Sequence, residues 1–328
     1  MRTPGFWHRP AGLVAWALWP LGRLYAALTA RRVAQPPRFT ADVPVICVGN
    51  LNAGGTGKTP MVIALLERLG ARGIAAHVVS RGYGGSETGP LRVDQQVHDA
   101  AQVGDEPLLL ASFAPVWVAR DRAAGARAAQ AAGAQAIILD DGFQNPGVAR
   151  DLNIVVVDAR RGFGNGLCIP AGPLREPVAR GLARADLLVS IGKPADQEHF
   201  INCWGSKITL PHITGAIEPI ETGMQWQGLR ALAFAGIGHP EKFFATLSDI
   251  GAVLVETHAL DDHQPLSTAL LGRLSKAATQ QDARLVTTEK DAMRLPPALR
   301  SEVLFLPVRL IIQDSALDPA LDALFRSE

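Results

Sequence analysis

The chain has 328 residues, which is long enough for two α/β domains with separate cores or for one large domain. Its formal net charge is +1, so no overall imbalance points to nucleic acid or to an acidic partner. The three cysteines, Cys47, Cys168 and Cys203, lie far apart in sequence and match no metal-binding spacing, so we expect no metal site built on them.

The N-terminal segment is both apolar and basic. Six arginines precede the first acidic residue, Asp42, and residues 11–30 read AGLVAWALWPLGRLYAALTA. A spanning helix needs about 20 apolar residues. Pro20 and Arg23 lie inside the stretch, and an arginine near the bilayer centre costs about 2.5–3.5 kcal/mol. We therefore predict that residues 1–38 form an amphipathic helix in the membrane interface. The aromatic residues expected at headgroup level are Trp7, Trp16, Trp19 and Tyr25.

Beyond this segment, strand and helix patterns alternate, which predicts a largely parallel sheet covered by helices. The first unit is predicted over 39–212, a linker over 213–227 and a second, smaller unit over 228–328. The strands predicted in the first unit are Val43–Val48, Ala76–Ser80, Pro115–Ala119, Ala136–Leu139, Asn153–Val157 and Leu187–Ile191, and the helices are Lys58–Arg72, Glu106–Ser112 and Asp121–Ala132. The strands predicted in the second unit are Leu229–Ala235, Val253–Thr257, Leu285–Thr288 and Val303–Val308, and the helices are His239–Ile250 and Ser267–Gln281.

A glycine-rich loop follows the first predicted strand. Residues 52–59, Asn-Ala-Gly-Gly-Thr-Gly-Lys-Thr, lie between that strand and a helix, which is the context of a phosphate-binding P-loop. Glycines let backbone N–H groups converge on phosphate oxygens, and the helix adds its positive N-terminal end. Lys58 is expected to reach the β and γ phosphates, and the Thr59 hydroxyl to ligate Mg²⁺. Asn52 stands in place of the first glycine, and asparagine tolerates a left-handed backbone. The predicted ATP contacts are Asn52, Ala53, Gly54, Gly55, Thr56, Gly57, Lys58 and Thr59.

Residues 136–141, Ala-Ile-Ile-Leu-Asp-Asp, are typical of a Walker B strand, whose terminal carboxylate holds Mg²⁺ directly or through water. The adjacent carboxylates of Asp140 and Asp141 repel each other when both are ionised, so a cation is their natural partner. We predict the α/β fold class, with a P-loop NTPase-like, mostly parallel sheet flanked by helices. A second, smaller α/β domain and the N-terminal membrane-associated helix complete it.

Other interpretations of the same features stay open. The N-terminal segment is also compatible with a spanning helix or with a helix buried against the domain, whereas a cleaved signal peptide conflicts with a cytoplasmic nucleotide. The P-loop is also compatible with a soluble small-molecule kinase or with a membrane-associated ATPase switch that has no acceptor. Switches of the cell-division type carry a lysine just before the paired glycines, and this chain has Ala53 there.

Several segments, in this order, resemble the tetraacyldisaccharide 4'-kinases, also called lipid A 4'-kinases. They are Val48–Leu51 leading into Gly54–Pro60, Ser80–Gly84, Gly104–Pro107, Asp140–Gln144, Pro170–Pro177, Asp262–His263 and Thr287–Ala292. The resemblance runs from the N-terminal helix to about Leu295, with one departure at Asn145, where a histidine is expected.

The resemblance implies that the γ-phosphoryl group of ATP is transferred to the 4'-hydroxyl of a tetraacylated glucosamine disaccharide 1-phosphate, which forms lipid IVA in lipid A biosynthesis. It also implies two α/β domains joined by a short two-stranded linker, with the nucleotide between them. The expected location is the cytoplasmic face of the bacterial inner membrane, peripheral or monotopic. The expected partners are the lipid substrate and the membrane surface, with no nucleic acid.

The resemblance also suggests roles for individual residues. It assigns proton abstraction to Asp105, paired with His263 of the second unit. Without the resemblance, a helix N-cap is an equally good interpretation of Asp105, and a surface or structural role is the better interpretation of His263. With Lys58 and Asp140 these residues form the predicted catalytic set. Predicted Mg²⁺ ligands are Thr59, Glu106, Asp140, Asp141 and Glu176, and predicted acceptor contacts are Arg81, Tyr83, Gln144 and Arg175. Lys290 is expected either to cap a helix or to contact the nucleotide across the cleft.

Overall fold

The chain forms two β-sheets, one mostly parallel and one fully parallel. The computed structural model describes residues 4–261, 264–312 and 316–326. The elements up to the end of the first unit are α1 (Leu13–Val33), β1 (Val45–Gly49), α2 (Lys58–Ala71), β2 (Ala76–Ser80), β3 (Leu91–Arg92), α3 (Ala100–Val103), α4 (Asp105–Leu110), β4 (Val116–Val118), α5 (Arg122–Ala131), β5 (Ala136–Asp140), β6 (Leu152–Asp158), α6 (Val178–Leu182), β7 (Leu187–Ile191), α7 (Pro194–Trp204) and β8 (His212–Pro219). The later elements are β9 (Arg230–Ala235), α8 (Pro240–Asp249), β10 (Val253–Ala259), α9 (Thr268–Gln280), β11 (Arg284–Thr288), α10 (Glu289–Ala292), β12 (Leu304–Leu306), β13 (Val308–Ile312) and α11 (Leu317–Leu324).

The large sheet has nine strands in the order β13-β8-β7-β6-β1-β5-β2-β4-β3. The seven strands from β8 to β4 in this order are parallel to one another, whereas the edge strands β13 and β3 are antiparallel to β8 and β4. Both faces are buried: Ile46 and Val48 of β1 pack in one apolar cluster, whereas Val45 and Cys47 pack in the other. Because the strands are parallel, the loops after β1, β2 and β5 meet at one edge, where the predicted site residues lie. The predicted fold class is confirmed.

The helix α1 packs on the large-sheet unit through small residues. Ala15, Gly22, Ala26 and Thr29 are buried, and a Cβ atom at Gly22 would lie 2.8 Å from a backbone carbonyl oxygen. The opposite face is apolar and exposed, with Leu13 at 90%. Among the described helices, α1 alone is long and apolar enough to cross a membrane, and 22% of its apolar window is buried.

Trp7 does not lie where the sequence suggested. It was predicted at headgroup level, but its side chain is 9% exposed. The indole Nε1 donates a hydrogen bond to the carbonyl oxygen of Pro170 at 3.0 Å. A buried indole N–H needs an acceptor, and this bond fastens the N-terminal turn, Gly5–His8, to the loop after β6.

The small sheet has four parallel strands in the order β10-β9-β11-β12. Helices α8 and α9 pack in different apolar clusters, which lie on opposite faces of β9. The segment Val303–Val308 was predicted as one strand of this unit, but it splits at Pro307. Proline has no N–H for a sheet ladder. Consequently β12 stays in the small sheet, while β13 pairs with β8 of the large one.

The chain therefore leaves and re-enters the large sheet through adjacent antiparallel strands, β8 and β13. The predicted linker, 213–227, begins inside β8. The final helix also packs on the large-sheet unit, since Arg72, directly after α2, contacts Asp318 and Asp322 of α11 at 2.8 and 2.9 Å. Residues 308–312 and 316–326, predicted to belong to the second unit, thus pack on the first.

Candidate active site

The P-loop lies between β1 and α2, as the sequence predicts. Gly54 and Gly57 have φ values of 108° and 94°, a region that side chains with a Cβ atom rarely adopt. The side-chain amide of Asn50 donates to the carbonyl oxygen of Gly54 at 3.2 Å and to Oγ1 of Thr56 at 3.0 Å. These two hydrogen bonds from the Asn50 side chain therefore fix the conformation of the loop.

Asn52 and Ala53 differ from the expectation. Both were predicted to contact ATP. Asparagine tolerates a left-handed backbone, but Asn52 does not adopt one, since the non-glycine residues with positive φ in the described ranges are Asp141 and Asp282. Instead, its side chain donates to the carbonyl oxygen of Gly162 at 3.0 Å. The Ala53 N–H donates to a backbone carbonyl in the loop after β6 at 2.7 Å. Both groups tie the P-loop to its neighbour, which leaves residues 54–59 as the predicted phosphate contacts.

Lys58 lies beside Asp141 and Arg175. Its Nζ atom is 3.6 Å from Oδ1 of Asp141, and an Arg175 guanidinium nitrogen is 2.8 Å from the same oxygen. Burial alone would raise the pKa of Asp141, but the two cations outweigh it and lower the pKa to about 2. Asp141 is therefore ionised at neutral pH and gathers the two cations at the P-loop.

Asp140 is buried at the end of β5. Its Oδ2 atom accepts a hydrogen bond from the Ser80 hydroxyl at 3.0 Å. Its Oδ1 atom is buried and has no hydrogen-bond partner among the described residues. Burial and the nearby Glu106 raise the pKa of Asp140 to about 6, against the effect of Lys58. A buried carboxylate oxygen without a donor is suited to a bound cation.

The peptide groups of the two aspartates are held by Arg122, which the sequence reasoning did not single out. Its guanidinium group is buried at the start of α5 and donates to the carbonyl oxygens of Asp140 at 2.7 Å and Asp141 at 3.0 Å. This arrangement fixes the turn in which Asp141 has a φ of 52°. No local sequence signal marks Arg122, because its partners lie on another element.

Asp105 lies at the start of α4 and is 3% exposed. Its Oδ2 atom is 3.6 Å from Nζ of Lys290 and 3.9 Å from Nε of Arg294. Both cations belong to the small-sheet unit, and Lys290 also approaches Oε1 of Glu106 at 3.4 Å. His263, the predicted partner of Asp105, lies outside the described residues, as does Asp262.

Arg294 was missed by the sequence reasoning. It donates to the carbonyl oxygens of Gln264 at 2.8 Å and Gly236 at 3.2 Å, and it contacts the buried carboxylate of Asp291. The signal available was its spacing of four residues from Lys290, which places two cations on one face of a helical turn.

Glu176, predicted as a Mg²⁺ ligand, has other partners. One of its oxygens accepts from Arg184 at 2.6 Å and the other from Gln144 at 3.0 Å. Gln144 also donates to the carbonyl oxygen of Asn50 at 2.9 Å, and Arg175 donates to its side-chain oxygen at 3.3 Å. Both Glu176 oxygens are therefore engaged. The structure gives this residue the role of holding Gln144 beside the P-loop.

Two predicted acceptor contacts, Arg81 and Tyr83, follow β2 in an exposed loop. Tyr83 is 72% exposed. The loop passes close to the start of α4, because a Cβ atom at Gly104 would lie 2.7 Å from the Tyr83 carbonyl oxygen. Arg81 and Tyr83 thus stand near Asp105, on the solvent side of the site.

Comparison with known proteins gives consistent matches. The family model for tetraacyldisaccharide-1-P 4'-kinase matches residues 14–326. A tetraacyldisaccharide 4'-kinase of Dinoroseobacter shibae is 68% identical and covers 99% of this chain and 98% of its own. One of Jannaschia sp. is 60% identical and covers 98% of both chains. The crystal structure of Aquifex aeolicus LpxK in complex with ATP has a TM-score of 0.79 and 25% identity, and covers 96% of this chain and 100% of its own.

Proposed function

The chain belongs to the tetraacyldisaccharide-1-P 4'-kinase family, and we propose on that premise that it phosphorylates the 4'-hydroxyl of a tetraacylated disaccharide 1-phosphate with ATP. It is an ATP-dependent kinase of lipid A biosynthesis, and its product is lipid IVA. The observation that carries the proposal is the family match over residues 14–326, which includes the P-loop, the two aspartates at the end of β5 and the small-sheet cations at Asp105. The alternative of an ATPase switch without an acceptor is not favoured, since the relatives are named as kinases.

We infer that Lys58 and Arg175 bind the phosphates that react. Asp141 now holds both cations, at 3.6 and 2.8 Å. Triphosphate oxygens carry more charge than one carboxylate and match the donors of both groups, so they replace Asp141 as the partner. The two cations then lie where negative charge spreads over the γ-phosphoryl group during transfer.

The donor set also fits Mg²⁺. The residues that would hold the ion are Asp140, through its unpartnered Oδ1, and Thr59, with Glu106 close enough to affect Asp140. In the described ranges no group of three or more His, Cys, Asp or Glu side chains forms a metal cage. Mg²⁺ in kinases is held by one or two protein groups together with phosphates and water, and the site proposed here is of that kind. Bound there, Mg²⁺ would neutralise charge on the β and γ phosphates.

Asp105 is the proposed base. Its carboxylate accepts the proton of the 4'-hydroxyl as the oxygen–phosphorus bond forms and the bond to ADP breaks. Lys290 and Arg294 orient this carboxylate from the other unit, at 3.6 and 3.9 Å from Oδ2. Arg81, Tyr83 and Gln144 are the proposed contacts for the acceptor sugar. His263 remains the predicted partner of Asp105.

We further propose that α1 lies in the cytoplasmic face of a bacterial inner membrane, in monotopic fashion. Its exposed face carries Leu13, Trp16 and Leu28, at 90%, 56% and 59% exposure, and water does not favour such a surface. Arg23 stacks over the Trp19 ring at 5.4 Å, a pair suited to the headgroup level. The acceptor has acyl chains, so this placement brings the kinase to its substrate.

The test is transfer of labelled phosphate from ATP to purified disaccharide 1-phosphate in neutral detergent micelles. We expect the wild-type chain to label the 4' position and Lys58→Ala to lower turnover at least about 100-fold. Arg273→Gln, an exposed change on α9, is the matched control and should leave turnover unchanged. ATP hydrolysis that is equally fast without the acceptor would show a switch rather than a kinase.

A further inference from the structure

A second cavity lies on the β6 side of the P-loop, away from Asp105. It has a volume of about 880 Å³ and opens between the N-terminal turn, the loop after β6, helix α7 and helix α8 of the small-sheet unit. Cavities of this size hold small molecules or headgroups. None of the roles proposed above uses its lining.

The lining is basic. Four cationic side chains, Arg9, Arg160, Arg161 and Lys242, face the cavity together with two carboxylates, those of Asp158 and Glu241. Lys242 contacts Asp158 at 2.7 Å, so one cation and one carboxylate neutralise each other. The remaining charged side chains are three arginines and one carboxylate, that of Glu241, so the cavity has a net positive charge.

Two histidines, His8 and His239, belong to the lining. Both ring nitrogens of His8 are buried and have no hydrogen-bond partner in the described part of the chain. His239 has its Nδ1 atom 3.4 Å from the Arg161 guanidinium. Burial is the main cause of the lowered pKa of each histidine, and the second cause, the positive charge of Arg161, also attracts an anion.

The cavity borders the proposed membrane face. Its rim includes Arg9, Pro10 and Ala11, and the exposed apolar surface of α1 starts two residues later, at Leu13. The N-terminal turn is fixed by the two hydrogen bonds of Trp7, to the Asn165 N–H at 2.8 Å and to the Pro170 carbonyl at 3.0 Å. A group bound here therefore sits at the depth of lipid phosphates if α1 lies in the interface.

We propose that this cavity binds the phosphate headgroup of an anionic membrane phospholipid. Guanidinium groups form paired hydrogen bonds with phosphate oxygens, and His8 adds a neutral donor. The acyl chains of the lipid would continue along the apolar face of α1. The proposal rests on the membrane placement argued above, and it gives the kinase a lipid contact separate from its acceptor.

The experiment uses the full chain in neutral detergent, where no charged bilayer contributes a diffuse attraction. Phosphatidylglycerol and phosphatidylcholine are added at equal concentration, and the bound lipid is counted by native mass spectrometry. We expect one retained phosphatidylglycerol per chain, at least about tenfold over phosphatidylcholine. Arg160→Gln/Arg161→Gln should lower the retained fraction about tenfold or more. Arg9→Gln, which lies outside both sheets, repeats the test with no change inside the fold.

The matched control is Arg31→Gln/Arg32→Gln, which removes the same charge from exposed positions in the last turn of α1. Equal losses in both pairs, or equal retention of the two lipids, overturn the proposal. Displacement of phosphatidylglycerol by equimolar inorganic phosphate assigns the cavity to free phosphate, and displacement by ATP or by the acceptor assigns it to the kinase reaction. Either result overturns the proposal. Labelled transfer by the wild-type chain in the same micelles is scored separately, so a failed lipid site is distinguishable from a failed kinase.

Discussion

The exposed apolar face of α1 predicts a measurable loss of membrane binding when it is made polar. Leu24 and Leu28 lie four residues apart on one face of the helix and are 58% and 59% exposed. Burying a whole leucine side chain is worth about 1.5–3 kcal/mol. Because more than half of each side chain remains to be buried, Leu24→Gln/Leu28→Gln should weaken membrane binding by about 2–3 kcal/mol. This corresponds to about 30- to 150-fold in the partition coefficient.

The assay is flotation of the full chain with neutral phosphatidylcholine vesicles, which removes any electrostatic contribution. The control is Ile201→Gln/Phe305→Gln, which changes apolar side chains that are 44% and 42% exposed elsewhere on the molecule. Thermal unfolding in detergent should be the same for both variants, because none of the four side chains is buried. An unchanged partition coefficient, or an equal decrease in the control, would refute the reasoning that this face enters the bilayer.

Three further predictions concern the site and the helix. Burial raises the pKa of Asp140 to about 6 from its ordinary 3.8, so the ligand-free protein is more stable at low pH and loses about 2–3 kcal/mol as pH rises through 6. Asp140→Asn should therefore unfold at higher urea than wild type at pH 7.5 and not at pH 4, and a difference independent of pH would contradict this. Lys290→Gln and Arg294→Gln should each lower kcat/KM about tenfold or more. Because both cations contact one carboxylate, the double variant should lose less than the product of the two single losses. Losses in steady-state kcat/KM that multiply fully would contradict this coupling. Gly22→Val should lower the Tm by several degrees, because a Cβ atom at this position would lie 2.8 Å from a backbone carbonyl oxygen, while binding to vesicles should be unchanged. The control for this clash is Gly272→Val on α9, where a Cβ atom has no neighbouring atom within 4 Å.

The parts of the fold that were predicted depend on local pattern. The P-loop was found because strand, glycines, lysine and helix follow one another in sequence, and the Walker B strand because its apolar run ends in Asp140. Parallel strands then bring these loops to one edge. The split at Pro307 was missed, because apolar residues on both sides of a proline predict one continuous strand unless the neighbouring strands are known.

The parts that were not predicted depend on contacts between distant residues. Asn52 was predicted to contact ATP, but its side-chain amide donates to the carbonyl oxygen of Gly162, 110 residues away in sequence. Glu176 was expected at the metal, but Arg184 and Gln144 occupy its oxygens. Arg122 contacts only backbone atoms of the aspartates, so no pairing of residue types reveals it. Side-chain chemistry shows what a residue is able to bind, whereas topology decides which partner is near.

The adjacent strands β8 and β13 make the small-sheet unit an insertion within the larger one. Because the two connecting strands lie side by side, the small-sheet unit is able to swing about the line that joins them but not to rotate about either strand. Lys290 and Arg294, which lie 3.6 and 3.9 Å from Oδ2 of Asp105, would move together in any such swing, because both belong to the inserted unit. The same connection means that a fragment cut at residue 228 would lack its ninth strand and expose a bare sheet edge, which invites aggregation. The larger unit is therefore best produced by connecting β8 to β13 with a short turn in place of the small-sheet unit, rather than by truncation.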